Sequence, residues 1–254
     1  MMNVFLLLSS LALAAESQTS KFTGMSARTL PKGAWSKGVF EPLRYGVSDD
    51  LTLSVRPLEV VLMPNVAVKR QWGDLISGVL LSTEHNVTVP TPLLRQLARP
   101  GIGGVLPPDS TIPWGFISGH TVFLSSDVDE ESLTGWAKME FGLGFGESDV
   151  PTIDIPLAYR KTAVAQNGLA LLTGLRSSEI LFSGVGYVAQ VQAWSLPMND
   201  LDWGLEVQLE GLWQPTPGFQ LHTGALLTYG EFPYGDNFHI LPTFDLVWAW
   251  GGKG

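Results

Sequence analysis

The sequence predicts an all-β chain: a transmembrane antiparallel β-barrel of about twelve strands, within a range of about 10–14, behind an N-terminal signal peptide. Three observations lead there. The first is an aromatic interval. Trp203 and Trp213 stand ten residues apart, and Phe219 with Tyr229 and Phe238 with Trp248 repeat that spacing. An even interval keeps both rings on one face of a strand. Ten residues cover roughly 33 Å when extended and about 24 Å at a tilt of about 45°, close to the apolar band of about 25 Å between the two aromatic girdles of an outer-membrane barrel. The second is alternation between those rings: aliphatic residues face one way, and Gly, Gln and Thr the other. The third is that 45 % of the chain is hydrophobic, yet no internal run is long and apolar enough to span as a helix.

The elements follow in order. Val4 to Ala15 is a solid apolar run ending Ala12-Leu13-Ala14, so residues 1–15 read as a signal peptide cut near Ala14 or Ala15. A buried N-terminal strand or helix is the alternative reading. No cysteine follows the run, which excludes a lipid anchor of the lipoprotein kind. Residues 16–33 are expected as a short periplasmic segment, 34–250 as the barrel, and 251–254 as a tail. Period-2 alternation between turn signals places strands near 34–47, 50–62, 65–72, 76–89, 113–125, 133–146, 152–164, 168–176, 179–195, 201–214, 218–230 and 238–250. The last three are regular. The second loses its alternation at Pro57, where a bulge is expected.

Residues 90–112 form a long connection with a short helix, Thr91 capping it and Pro92 at its first position. Pro100-Gly101 ends that helix. With both termini in the periplasm, the strand count puts 90–112 on the periplasmic side. The acidic connections, containing Asp49 and Asp50, Asp74, Asp127 to Glu131, Asp200, and Glu231 with Asp236, fall outside the cell.

Alternation does not say which face is outside. A lipocalin-like soluble barrel would turn the apolar face inward and a charged face to water. The Gly, Gln and Thr of the polar face, the aromatics at strand ends and the secretion signal favour the inverted arrangement. The absence of cysteine removes disulfides and thiolate metal sites. The net charge of −9 argues against nucleic acid as a partner.

The stretches Thr29-Leu30-Pro31-Lys32-Gly33-Ala34-Trp35, Gly38-Val39-Phe40 and Pro42-Leu43-Arg44-Tyr45-Gly46-Val47 resemble the opening of an uncharacterised family of bacterial outer-membrane β-barrel proteins. So do Pro90 to Leu94, Gly101 to Pro108, and Tyr229 to Gly235 with the aromatic strand to Trp250. The resemblance implies a location and a fold, and brings no activity and no catalytic residues. One departure is that Gly251-Gly252-Lys253-Gly254 follows Trp250, where such barrels end on an aromatic.

The candidate site is a lumen charge network of Lys138, Glu140, Asp154, Arg160, Glu206, Glu210, Asp245 and His222, all on polar faces, with Lys69 and Arg176 as further lumen-facing charges. Mixed charges in a narrow lumen would pair across it, as a gate or as filling. The girdle is Trp203, Trp213, Phe219, Tyr229, Phe238, Trp248 and Trp250. Asp127, Asp129, Glu130 and Glu131 are a weak metal candidate, lacking the glycine and spacing of a calcium loop. Outer-membrane phospholipases use a His-x-Ser-Asn arrangement. The runs after His120, His222 and His239 do not match it, so no catalytic residue and no cofactor is expected. The expected function is a narrow pore or transport element for small solutes in a Gram-negative outer membrane. A non-conducting structural or surface-interaction barrel is the alternative, and a lipid- or peptide-processing enzyme a second one. Expected partners are outer-membrane lipid, lipopolysaccharide, and the barrel-assembly machinery through the C-terminal strand.

Overall fold

The structure, a computed structural model, describes residues 22–101, 106–128, 131–151, 153, 156–165, 167–198, 202–233 and 235–252. Twelve strands close into one antiparallel barrel in sequence order, with β12 returning to β1. They are Ala34–Gly38 (β1), Leu43–Ser48 (β2), Leu51–Val55 (β3), Asn65–Ile76 (β4), Val79–Thr88 (β5), Trp114–Val128 (β6), Glu131–Phe145 (β7), Leu169–Phe182 (β8), Val185–Leu196 (β9), Asp202–Thr216 (β10), Phe219–Phe232 (β11) and Gly235–Gly251 (β12). Among the described residues three helices lie in connections: Pro57–Val60 (α1), Thr91–Leu97 (α2) and Pro156–Ala165 (α3). Among the described residues no helix is long and apolar enough to cross a membrane.

The expected number of strands is met through two differences that cancel. The expected strand 34–47 is two strands, β1 and β2. The backbone N–H groups of Val39, Phe40 and Glu41 all turn onto the Asp245 carboxylate, at 2.7, 3.2 and 2.8 Å. Three successive N–H groups around one anion form a tight nest, and Pro42 has no N–H to continue a ladder. The expected strand 152–164 instead contains α3. Pro156 opens the helix, and buried Tyr159, Thr162 and Ala163 fall at i, i+3 and i+4 on one face. Two smaller boundaries also differ. The expected bulge at Pro57 is the start of α1. The expected break near 176–179 is strand, the turn lying at Ser183 and Gly184, both at positive φ.

These differences invert the sidedness of everything between them. The start of β1 and the end of β12 share one end of the barrel with the two-residue turns 49–50, 77–78, 183–184 and 217–218. The other end carries 39–42, 56–64 and the described residues of the connections after β5, β7, β9 and β11. The described residues of 90–112 therefore lie opposite the start of β1 and the end of β12, where the strand count had put them on the same side. Asp49, Asp50, Asp74 and the end of β6 at Val128 lie at the end where β1 starts, also contrary to expectation. After α3 the count recovers, and Glu231 and Asp236 stand at the far end as expected. Helix α2 forms where expected, but the Thr91 hydroxyl accepts from Gly115 N at 3.0 Å and donates to Pro113 O, so it ties the helix to β6 and does not cap it.

Burial alternates along the walls. On β6, Ile117, Thr121, Phe123 and Ser125 are buried, whereas Trp114, Val122 and Leu124 are exposed; Ser118, on the outer face by its position, breaks the pattern at 9 % exposure. The described part of the expected periplasmic segment 16–33 runs inside the lumen. Ala27 is fully buried and donates its N–H to Ser125 Oγ at 2.6 Å; Leu30 N–H donates to Thr52 Oγ1 at 2.8 Å. From the other end α3 folds inward, burying Tyr159, Ala163 and Val164 against Trp136, Leu172, Trp194 and Phe232. Glycine lets both segments press on the wall. A Cβ on Gly46 would stand 2.1 Å from Pro31 O, and one on Gly142 only 1.8 Å from Val164 O. Signal residues 1–15, Asp154, Asp129 and Glu130 lie outside the described residues.

Candidate functional site

The lumen gathers the charged side chains into separate clusters. Lys138 Nζ meets Glu140 Oε1 at 2.6 Å. Arg160, carried on α3 and not on a strand, brings Nε within 3.4 Å of Glu140 Oε2, a charge contact without hydrogen-bond geometry. Glu206 accepts from Trp194 Nε1 at 3.0 Å and from Gln192. Glu210 accepts from Gln208 at 2.7 Å and faces His222 Nδ1 at 3.3 Å, while His222 Nε2 faces Gln220 Oε1 at 3.2 Å. Asp245 has no cation among its described partners; it holds the nest that ends β1. The eight-residue network of the sequence reading is thus one triad, one pair and two carboxylates satisfied by neutral donors, with Asp154 undescribed.

Three more cations stand in the lumen: Lys69 and Arg176, which the sequence also places on polar faces, and Arg44, which it does not. Lys69 donates to the Ser26 carbonyl and lies 4.6 Å from the centre of the Phe123 ring. It anchors the N-terminal segment by an ammonium stripped of bulk water. Arg44 pairs with Glu41 at 2.5 Å in the β1–β2 connection, and Arg176 lies beside them near Gly24. Burial raises the Glu41 carboxyl, but Arg44 and then Arg176 outweigh it, so the group titrates below its ordinary value. Lys69 fell on a polar face in sequence; nothing local marked the segment it would hold.

The outer face is apolar. Trp203, Trp213, Tyr229, Phe238, Trp248 and Trp250 are exposed, and Phe219 packs on Trp248 at 5.7 Å. Trp203 and Tyr229 meet edge-on at 5.8 Å near the loop end, with Phe238 on the next strand. Trp213, Phe219, Trp248 and Trp250 lie near the terminal end, where Trp35 stacks on Trp250. Trp72, with Arg70 over its ring at 4.4 Å, continues that lower ring.

One polar cluster interrupts this face. His85 and His120 are directly opposite on β5 and β6, their Nδ1 atoms 2.7 Å apart. His120 Nε2 stands 3.2 Å from Ser118 Oγ, and the His120 ring stacks on outward Phe141 at 5.6 Å. Sequence reasoning missed this group because it looked for serine after histidine. On a strand, residues i and i+2 face alike in either order, so Ser118-Gly119-His120 offered the same geometry reversed. Among the described residues no group of three or more His, Cys, Asp or Glu could hold a metal ion.

No protein-family model matches the chain, and no curated protein matches it. Among solved structures, the chain is similar to a bacterial polysaccharide outer membrane secretin, with a TM-score of 0.45 and 10 % identity over 87 % of this chain and 77 % of that one. It is also similar to the ferric yersiniabactin uptake receptor FyuA from Yersinia pestis, with a TM-score of 0.24 and 10 % identity over 87 % of this chain and 44 % of the receptor.

Proposed function

We propose that this chain is an outer-membrane β-barrel of a Gram-negative bacterium whose lumen is held closed by its own segments, a non-conducting barrel at rest. The observation that carries the reading is the filling of the lumen from both ends, by residues 22–31 and by α3. An apolar outer wall edged by two aromatic rings suits lipid as the surrounding solvent. The two-residue turns, the start of β1 and the end of β12 then belong in the periplasm, and the long connections outside. Lipid, lipopolysaccharide and, through β12, the barrel-assembly machinery are its partners in this reading. The test is conductance of the full-length protein in a planar bilayer. No steady current is expected, and a steady open channel would overturn the proposal.

A second reading, a narrow pore for small solutes, is favoured by how residues 22–31 are held. The hydrogen bonds that join them to the wall each use a side chain, at Ser125, Thr52, Gln71, Lys69 and from Thr29 to the Asp49 carbonyl, and none is ladder pairing. If that segment is a gate, deleting residues 22–31 opens a steady channel, and changing Glu206 and Glu210 to Gln shifts its cation preference. If the barrel is closed by design, α3 keeps the deletion variant silent.

A further inference from the structure

We infer that Ser118, His120 and His85 form a serine-hydrolase site on the outer wall, directed at the acyl esters of membrane lipid. The inference rests on the reading of that wall as lipid-facing.

Polar and ionisable side chains are costly against hydrocarbon and mark function there. This cluster has an order that filling alone does not require: hydroxyl, imidazole, second imidazole, in a chain of 3.2 and 2.7 Å. With its proton on Nδ1, His120 donates to His85 Nδ1 and accepts from Ser118 Oγ through Nε2. That arrangement gives a nucleophile, a base, and a third group that fixes the tautomer of the base. Phe141 stacked on His120 limits the rotation of the ring.

Depth and surroundings favour an ester. Ser118 lies two residues along β6 from outward Phe116 and four from Trp114, which at a tilt of about 45° places it about 5 and 9 Å inside those rings. Lipid esters lie just beneath the headgroup level that such rings mark. From Val122, two residues past His120 on the same face, a shallow groove runs over the small side chains Ala137, Thr173 and Ala193 towards Leu205, with Gly135 and Leu175 beside it. Its place beside the triad suits an acyl chain whose carbonyl stands at Ser118.

In the acylation step Ser118 Oγ attacks the carbonyl carbon and its proton passes to His120 Nε2. The bond to the alcohol oxygen breaks, and that oxygen leaves with the proton from His120. Water then attacks the acyl-serine, gives its proton to His120, and the carboxylic acid departs as Ser118 Oγ takes the proton back. Strand pairing on both sides occupies the N–H groups around Ser118. Water at the interface must therefore meet the oxyanion, and turnover is expected about 10²–10³-fold below that of a hydrolase with a preformed oxyanion hole.

The experiment uses the full chain folded in detergent, with the shift between unheated and heated gel mobility reporting an intact barrel for every variant. An alkyl fluorophosphonate should add once, at Ser118, by intact mass and peptide mapping. Ser118→Ala should take no adduct, and His120→Asn should react about 100-fold more slowly. His85→Ala should slow labelling about tenfold and move its pH profile, and His85→Asp, which again accepts from Nδ1–H, should restore both. Fatty acid should be released from phosphatidylethanolamine or from lipid A in mixed micelles by the parent and not by Ser118→Ala; which one is cleaved identifies the source of the ester. A folded parent that takes no adduct at Ser118, an adduct indifferent to His120, or labelling without release from either lipid would overturn the site. Should the chain prove soluble without detergent, the lipid-facing reading fails separately, and the adduct still reports whether the triad is a nucleophile.

Discussion

The two sides of the barrel are built differently. Strands β6 to β12 have 12–17 residues each, whereas β1, β2 and β3 have 5, 6 and 5. At about 2.3 Å of height per tilted residue, the first set spans an apolar band of about 25 Å and the second covers about half of it. The tall wall holds itself together by long ladders with lipid-type side chains outside. The low wall leans on what lies within: Leu30 bonded to Thr52, Pro31 seated against Gly46, and the β1–β2 connection folded onto Asp245. Filling the lumen therefore substitutes for missing ladder on the low wall, whereas on the tall wall α3 adds a packed apolar core to ladders that are already long.

The comparison can be broken most strongly on the tall wall. Val207 sits between exposed Leu205 and Leu209 on β10, so Val207→Arg should cost about 2–4 kcal/mol of barrel stability, the range for a cation near the bilayer midplane. Gln208→Arg faces the lumen and should cost much less. Urea titration of the folded protein in lipid measures both, and equal costs would mean the outer face is not against hydrocarbon. Next is Gly46→Val, whose Cβ would meet Pro31 O. It should cost about 1–3 kcal/mol by overpacking and free residues 22–31 to protease while the β10–β12 ladders stay protected from hydrogen exchange. Uniform loss of protection would show that the two walls are one unit. Asp245→Asn removes the charge that three N–H groups surround. A loss of about 1–2 kcal/mol is expected, with faster exchange at Val39, Phe40 and Glu41 alone. The smallest effect should be Pro242→Ala. β12 pairs with β1 only from Val247 to Gly251, so Pro242 faces an unpaired edge, and the change should lie within about 0.5 kcal/mol.

The tall wall was legible because its alternation is long. In β10, β11 and β12 the faces, the aromatic interval and the inward placement of Glu206, Glu210, His222 and Asp245 can be read from period two. The low wall was not legible because nothing local marks its ends. What stops β1 is Asp245, roughly two hundred residues away in sequence, as the bond to Val39 spans 206 positions. Pro242 was a signal available and unread: proline inside a strand names an edge. The segment 152–164 carried both a weak alternation and a helical stripe, and Pro156 at a first turn was the clue that separated them. Lumen filling was illegible altogether, since a coil that threads a barrel has no period. The Ser118 to His120 pair was legible as spacing, but its partner His85 joins only through the β5–β6 register.

The short strands also have a meaning for the surroundings. Around most of the circumference a bilayer would meet wall of its own thickness. At β1–β3 it would meet about half of that, topped by exposed Phe40 and by the exposed Leu58, Val61 and Leu62 of the α1 connection. Lipid accommodates a short hydrophobic face by thinning. A membrane around this barrel would thus be pinched on one side, with acyl chains splayed there and headgroups drawn toward the midplane, so that the protein would shape its own annulus of lipid before touching any partner.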